Sequence, residues 1–359
     1  MKISLFTEIQ CPAGGSPAER MDEFLDQAEL ADRLGFHGFW IAEIHCQPAF
    51  SLLSAPYTVL GAAAQRTKRL RLGVAVNTLP VHHPVQIAEQ AATLDIVSHG
   101  RMDFAAGGGH PHSRVYECFG MDHRLTHDIV EEGLQVIRAA WTQPTLSFEG
   151  RFFKVPGVVV NPKPLQNPPP PFYMAASSEE GVDVAARAGV NLFLPIHTRT
   201  RAQIAELSAR YWSALKNAGH DASQHELGLL VPMHIAATTP EARERSRDGV
   251  MGYYRIIGDM RAGYIDWLQS RGEPLPPRLL KTATGELTFE RVCEEHAVIG
   301  DAASSVAAIE DWMRQTGASH LLAWMNIGSV PHRSVVESME RFARDVMPKL
   351  DGGRRIDAR

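Results

Sequence analysis

The chain alternates short apolar runs with longer stretches of helical period from its first residues. Residues 3–7 have the length and character of a buried strand. Residues 17–34 repeat Met21, Phe24, Leu25, Ala28, Leu30, Ala31 and Leu34 at the three- and four-residue spacing of an amphipathic helix. Gly35 follows, where a helix-ending glycine is expected. The rhythm then continues with strands at 39–42, 70–76, 101–106, 172–175, 191–195, 227–236 and 320–325. Helices fall at 54–65, 84–98, 128–141, 178–188, 201–218, 303–316 and 334–347. Eight strands, each followed by helix, predict one α/β domain over residues 1–350, a (β/α)8 TIM barrel. A doubly wound open sheet is the alternative reading of the same alternation.

Two insertions interrupt the pattern. The first, about 143–171, holds the hairpin-like Phe148-Glu149-Gly150-Arg151-Phe152-Phe153 and a proline-dense run from Pro156 to Pro171, which reads as a rigid surface connection. The second, about 240–293, is mainly helical at first and loop-like over 271–277. It carries Met251, Tyr253, Tyr254, Met260, Tyr264 and Trp267 among Arg255 and Arg261, a mixture suited to covering a large substrate or to packing on the barrel. Residues 351–359 are polar and Gly/Arg-rich, as a disordered tail is.

Composition narrows the partners. A hydrophobic fraction of 44% with 21% charged residues is that of a soluble globular protein with a substantial core. The net charge of −5, without a basic cluster interleaved with aromatics, argues against nucleic acid. No apolar run has the length of a membrane span, and Glu8 interrupts the amino-terminal run too soon for a signal peptide. Cys11, Cys46, Cys118 and Cys293 lie far apart and form no C-x-x-C pair, which fits a reducing cytoplasm and reads as packing.

Chemistry concentrates at strand ends. Residues 70–76 run into Asn77-Thr78-Leu79-Pro80, and 101–106 into Gly107-Gly108-Gly109-His110. Bare backbone at the carboxyl ends of consecutive parallel strands lets a flat ligand approach, so a planar cofactor is expected there. Asn77 reads as a ligand contact or as a residue satisfying its own turn. Ala176-Ser177-Ser178-Glu179-Glu180-Gly181 stands between a strand and a helix, where unpaired amides and the positive helix end favour an anion. The same letters also spell a capping box, Ser177 with Glu180. Glu43-Ile44-His45 ends the second strand, Glu43 pairing internally. His45 and His110 are the candidates for moving protons near neutral pH, against a purely structural role. His82-His83 and His110-Pro111-His112 lie on turns without an obvious fourth ligand, so no metal site is expected. No G-x-G-x-x-G follows a strand, which argues against a nicotinamide site.

Taken in order, Gly35-Phe36-His37-Gly38-Phe39-Trp40-Ile41-Ala42-Glu43, residues 73–84, Leu94-Asp95-Ile96-Val97-Ser98-His99-Gly100-Arg101, residues 172–181, Gly300-Asp301 and residues 342–348 carry a resemblance. The chain resembles the bacterial luciferase-like family of flavin-dependent monooxygenases, which are eight-stranded α/β barrels. The resemblance implies a two-component, cytoplasmic, homodimeric enzyme. A separate reductase would supply reduced FMN, O2 would add at the flavin C4a to give a peroxyflavin, and an organic substrate would be oxygenated. It implies that Ala75, Val76 and Asn77, a turn sometimes cis in relatives, pack against the flavin ring together with Gly108, Gly109 and His110. Ser177, Ser178 and Gly181 would receive the phosphate, and Asn77 would bond the ring edge or the peroxide; with it, His45 and His110 are the catalytic candidates that the residues themselves offer.

The chain also departs from the family pattern. Many members read Glu-His-His where this chain has Glu43-Ile44-His45, so the usual catalytic histidine has no counterpart. An arginine near the glycine turn is missing until Arg114, and one early in the next helix is replaced by His127. Either amides and neutral side chains hold the anion, or Arg114 or Arg124 takes over. Reduced flavin arriving as a diffusible co-substrate suits that weaker grip. Deazaflavin-dependent hydride transfer on the same barrel, a non-catalytic flavin-binding protein and a metal-dependent hydrolase are the alternatives.

Overall fold

Eight strands close into a parallel barrel in the computed structural model, which describes residues 1–110, 114–275 and 287–350. The strands of the chain are β1 (Lys2–Thr7), β2 (Gly38–Ile41), β3 (Arg71–Thr78), β4 (Met102–Gly107), β5 (Leu146–Glu149), β6 (Lys154–Val158), β7 (Phe172–Ala175), β8 (Asn191–Pro195), β9 (Leu227–Ile235), β10 (Val298–Gly300) and β11 (His320–Asn326). The barrel runs β1-β2-β3-β4-β7-β8-β9-β11 and returns to β1, every pairing parallel. This is the (β/α)8 TIM barrel. Helices cover its outside, so both faces of each strand are buried and the strands read as near-continuous apolar runs; β4 and β11 are buried at every residue.

The interior is filled by alternating large and small residues. Trp40 meets Phe193 at 5.1 Å and Tyr173 at 5.5 Å between ring centroids, and Tyr173 stacks on Phe193 at 4.6 Å. Glycines on neighbouring strands make the room: a Cβ on Gly73 would lie 2.3 Å from the Trp40 ring, and one on Gly228 2.6 Å from Phe193. Trp40 is fully buried between those rings and has nowhere to move. Gly73→Ala is therefore expected to destabilise the fold by about 3 kcal/mol through overpacking. Gly61→Ala, in open space on a helix, should be neutral or gain about 0.5–1 kcal/mol. Urea denaturation of the two variants checks both signs.

The helices preceding the site are α1 (Pro17–Leu34), α2 (Pro56–Arg66), α3 (Pro84–Val97), α4 (Val115–Cys118), α5 (Thr126–Thr142), α6 (Glu179–Arg187), α7 (Arg201–Asn217) and α8 (Thr239–Ser270). Gly35 ends α1 with φ +83°, as its position in the sequence predicts. β5 and β6 pair as the antiparallel hairpin expected in the first insertion. The helical part of the second is a single 32-residue helix, α8. β10 was not expected: three residues pair with Met233–Ile235 after β9 has parted from β11 at Pro232. Of the segment read as loop-like, residues 276 and 277 lie outside the described residues, as does the tail 351–359. Among the described residues, no helix is long and apolar enough to cross a membrane.

Candidate functional site

The carboxyl ends of β2 and β3 are tied together by Glu43, which is only 5% exposed. One of its oxygens accepts the Thr78 N–H at 2.6 Å, and the other lies 2.7 Å from His82 Nε2. His45 Nε2 is 3.3 Å from that second oxygen, in a direction that makes no hydrogen bond. Burial raises the Glu43 carboxyl, but the His45, His82 and Thr78 groups outweigh it and hold it at about 2. The three side chains offer ligand atoms within 4.8 Å of one another. A carboxylate already engaged by protein donors accounts for that clustering without a cation. His83 instead caps α3 through Nδ1 and the Val85 N–H, and the second half of His110-Pro111-His112 lies outside the described residues.

β3 ends in a cis peptide between Ala75 and Val76, and Asn77 comes next, buried. The Asn77 amide donates to the Ala105 carbonyl at 2.8 Å, so half of the side chain satisfies the neighbouring strand and not its own turn. Its Oδ1 is buried and has no protein donor. Beside it lies the Tyr57 hydroxyl, also buried and without a well-directed partner. The glycines that end and follow β4 lie close to neighbouring side chains. A Cβ on Gly107 would meet Val76 at 2.8 Å, on Gly108 Thr126 at 2.2 Å, and on Gly109 (φ +79°) Thr78 at 2.9 Å. These contacts lock the ends of β3 and β4 and the start of α5 together. Tyr116 donates its hydroxyl to the Gly108 carbonyl and completes that lock.

Across the barrel mouth, the start of α6 forms a cradle. Ser178, not Ser177, is the N-cap: its Oγ accepts the Gly181 N–H at 3.2 Å, so the Ser177–Glu180 capping box does not form. The Ser177 carbonyl instead accepts two bonds from Arg199, at 2.7 and 3.1 Å. Arg199 is placed there because it immediately precedes Thr200, which opens α7 with a capping box to Gln203. A Cβ on Gly181 would point among Ala176 Cβ (3.0 Å), Ser178 Oγ (3.3 Å) and His127 Nε2 (3.6 Å). The arginines named from the sequence are engaged on the exposed surface, Arg114 with Glu117 and Arg124 with Asp122. Arg199 and His127 are the cationic and imidazole groups at this turn.

A third group was missed by sequence reasoning. Glu8, the acid that closes β1, is buried; burial pushes its carboxyl well above the usual range despite a 2.7 Å bond from the Gln10 amide. The residue between them, Ile9, sits at φ +47°, an outlier for a β-branched side chain. Tyr253 of α8 lies within electrostatic reach of Glu8, its hydroxyl buried without a partner. Its ring packs edge-on to Trp324 at 4.7 Å and near Phe50 and His197, both at 5.8 Å. His197 is kept neutral, drawn down to about 3 by burial and then by His296. His110 joins this cluster through Phe50 at 5.3 Å, whereas His45 contacts His82 and Phe119. The two candidate histidines thus belong to separate aromatic chains. Of the insertion residues, Tyr253 and Met260 are buried in the main core, while Tyr264 is buried in a separate small cluster with Leu268, against which Trp267 packs.

Comparison with known proteins places this arrangement. Over 97% of its length the chain is 26% identical to 95% of the flavin-dependent trigonelline monooxygenase, oxygenase component, of Acinetobacter baylyi. The monooxygenase RslO1 from Streptomyces bottropensis superposes with a TM-score of 0.82 at 26% identity, covering 97% of this chain and 99% of that one. The barrel is also shared, at 18% identity and a TM-score of 0.73 over 97% and 98% of the two chains, with an F420-dependent secondary alcohol dehydrogenase in complex with an F420-acetone adduct. The family profile described as luciferase-like monooxygenase matches residues 1–320, and the chain belongs to that family.

Proposed function

We propose that this chain is the oxygenase of a two-component system, taking reduced FMN from a separate reductase and placing one atom of O2 into an organic substrate. The observation that carries the reading is the cradle at the start of α6. Ser178 Oγ and His127 Nε2 stand with Ala176 around the Gly181 α-carbon, and Arg199 holds the adjacent Ser177 carbonyl. A helix amino-terminus, serine hydroxyls and a nearby guanidinium suit a phosphate ester. The buried, partnerless Oδ1 of Asn77 suits a ring N–H of a flavin. The curated relative at 26% identity bears the name of a flavin-dependent oxygenase component.

On this reading Ser177, Ser178 and Gly181 hold the phosphate, with Ala75, Val76, Asn77, Gly108, Gly109 and His110 beside the ring. Reduced flavin supplies the two electrons with which one oxygen atom enters substrate and the other leaves as water. The chain's own residues do the rest. Glu43 orients His45 and fixes the Thr78 amide, and with it the end of β3. His45 moves protons at Nε2, and Glu8, its carboxyl raised by burial, is a reserve donor. Phe50, Tyr253 and Trp324 keep water out of that corner.

Anaerobic titration of the whole chain with FMN, reduced FMN and the deazaflavin coenzyme tests the proposal. Reduced FMN is expected to bind at least about tenfold tighter than oxidised FMN, a difference of about 1.4 kcal/mol. Admitting O2 should then regenerate oxidised FMN. A preference for deazaflavin, or no binding of any of the three, sinks it.

A further inference from the structure

Two of the four cysteines, 72 residues apart, meet on the rim of the barrel mouth. Cys46 directly follows His45, and Cys118 ends α4 just before Phe119. Their side chains lie near enough to interact with one another, and both are exposed. The adjoining rings of His45 and Phe119 are in edge contact at 5.2 Å, an independent sign that the two segments are pressed together. Arg114, one turn before Cys118, lies within electrostatic reach of both sulfurs. Cys11 and Cys293 are half-buried elsewhere, and burial pushes the Cys293 thiol up to about 11.

We propose that Cys46 and Cys118 are a reversible disulfide-forming site whose oxidant is a hydroperoxide. Either sulfur can open the reaction, since Arg114 reaches both. The first, as thiolate, takes an oxygen from hydrogen peroxide: an S–O bond forms, the O–O bond breaks, and the departing hydroxide gains a proton and leaves as water. The second thiol then gives up its proton and attacks the sulfenic sulfur; the S–S bond forms, the S–O bond breaks, and a second water leaves. Two thiols lose two electrons, and one peroxide becomes two waters.

The crosslink ties the end of β2 to α4. That helix holds the Gly108 carbonyl through Tyr116, and Phe119 just beyond it packs on His45. Oxidation would thus pin both candidate histidine-bearing turns at once. The site stands whether or not the barrel binds FMN, because any hydroperoxide serves.

The test treats the reduced, flavin-free whole chain with one equivalent of hydrogen peroxide, then counts native thiols and maps peptides without reduction. Two of the four thiols are expected to disappear into one Cys46–Cys118 crosslinked peptide, with a yield independent of protein dilution and reversed by dithiothreitol. In Cys46→Ser and in Cys118→Ser no crosslinked peptide should form, and dimedone should label the cysteine that remains. Unlinked sulfinic acids at the two positions, a crosslink that needs concentrated protein, or four surviving thiols would each overturn the assignment.

Discussion

Glu43→Gln is expected to lose about 3 kcal/mol of stability at neutral pH, with the difference from the parent chain vanishing as the medium is acidified. The group is buried, and its carboxyl is held at about 2 against an ordinary 4.5 because the nearby His45 and His82 rings and the Thr78 N–H outweigh the burial that would raise it. Each tenfold change in proton affinity is worth roughly 1.4 kcal/mol, which makes the whole contribution about 3 kcal/mol. The sign follows from which state binds the proton first. The unfolded carboxyl titrates at the higher pH, so the contribution is complete above 4.5 and is lost as pH falls from there through about 2. Gln keeps the shape and can still accept the Thr78 N–H, but it turns a charged bond to His82 into a neutral one. Urea denaturation of both chains at pH 6 and at steps down to pH 2.5 reads the effect. Parallel pH profiles would show that Glu43 is not the group held low. Because Thr78 follows Asn77, the variant should also loosen the end of β3 and weaken flavin binding.

How much of this was legible in the sequence depends on range. The eight barrel strands were readable because each is buried on both faces and so forms an unbroken apolar word, as in Phe39-Trp40-Ile41 or residues 320–325. β10 was not, since three residues carry no period and its pairing exists only because β9 extends past β11. Local turn chemistry was half readable. The α6 cap was placed near Ser177, but the choice between two adjacent serines is made by backbone direction, which put Ser178 in the extended conformation at the cap. Contacts across strands were the hardest. Arg199 meets Ser177 only because β7 and β8 are neighbours in the barrel. A search for a cation after the strand adjacent to the phosphate turn would have found it. Glu8 was visible as an acid ending an apolar strand, yet only burial under Tyr253 and the loop at Phe50 shows why it matters. The glycines that end and follow β4 were readable as a place of close approach; that Val76, Thr126 and Thr78 are among the groups that come close was not.

Arg199→Ala is expected to lower FMN affinity about 30-fold while leaving riboflavin affinity unchanged. The guanidinium donates twice to the Ser177 carbonyl, so it both sets the path of the turn and brings positive charge to the start of α6. Losing a charged hydrogen-bonding group at an anion site costs about 2 kcal/mol, which corresponds to that factor. Arg199→Lys should recover only part of it, because an ammonium keeps the charge but not the fork that grips one carbonyl from two nitrogens. Gly181→Ala gives an independent check from the opposite side: its methyl would sit 3.0 Å from Ala176 and fill the cradle, excluding the phosphate and sparing the ring. Riboflavin is the control that makes the result decisive, since it carries the ring without the phosphate. An equal loss for both ligands would mean that Arg199 and Gly181 merely hold the fold together. No loss for either would place the phosphate at another turn of the barrel, and the reading of this mouth as an FMN site would fail with it.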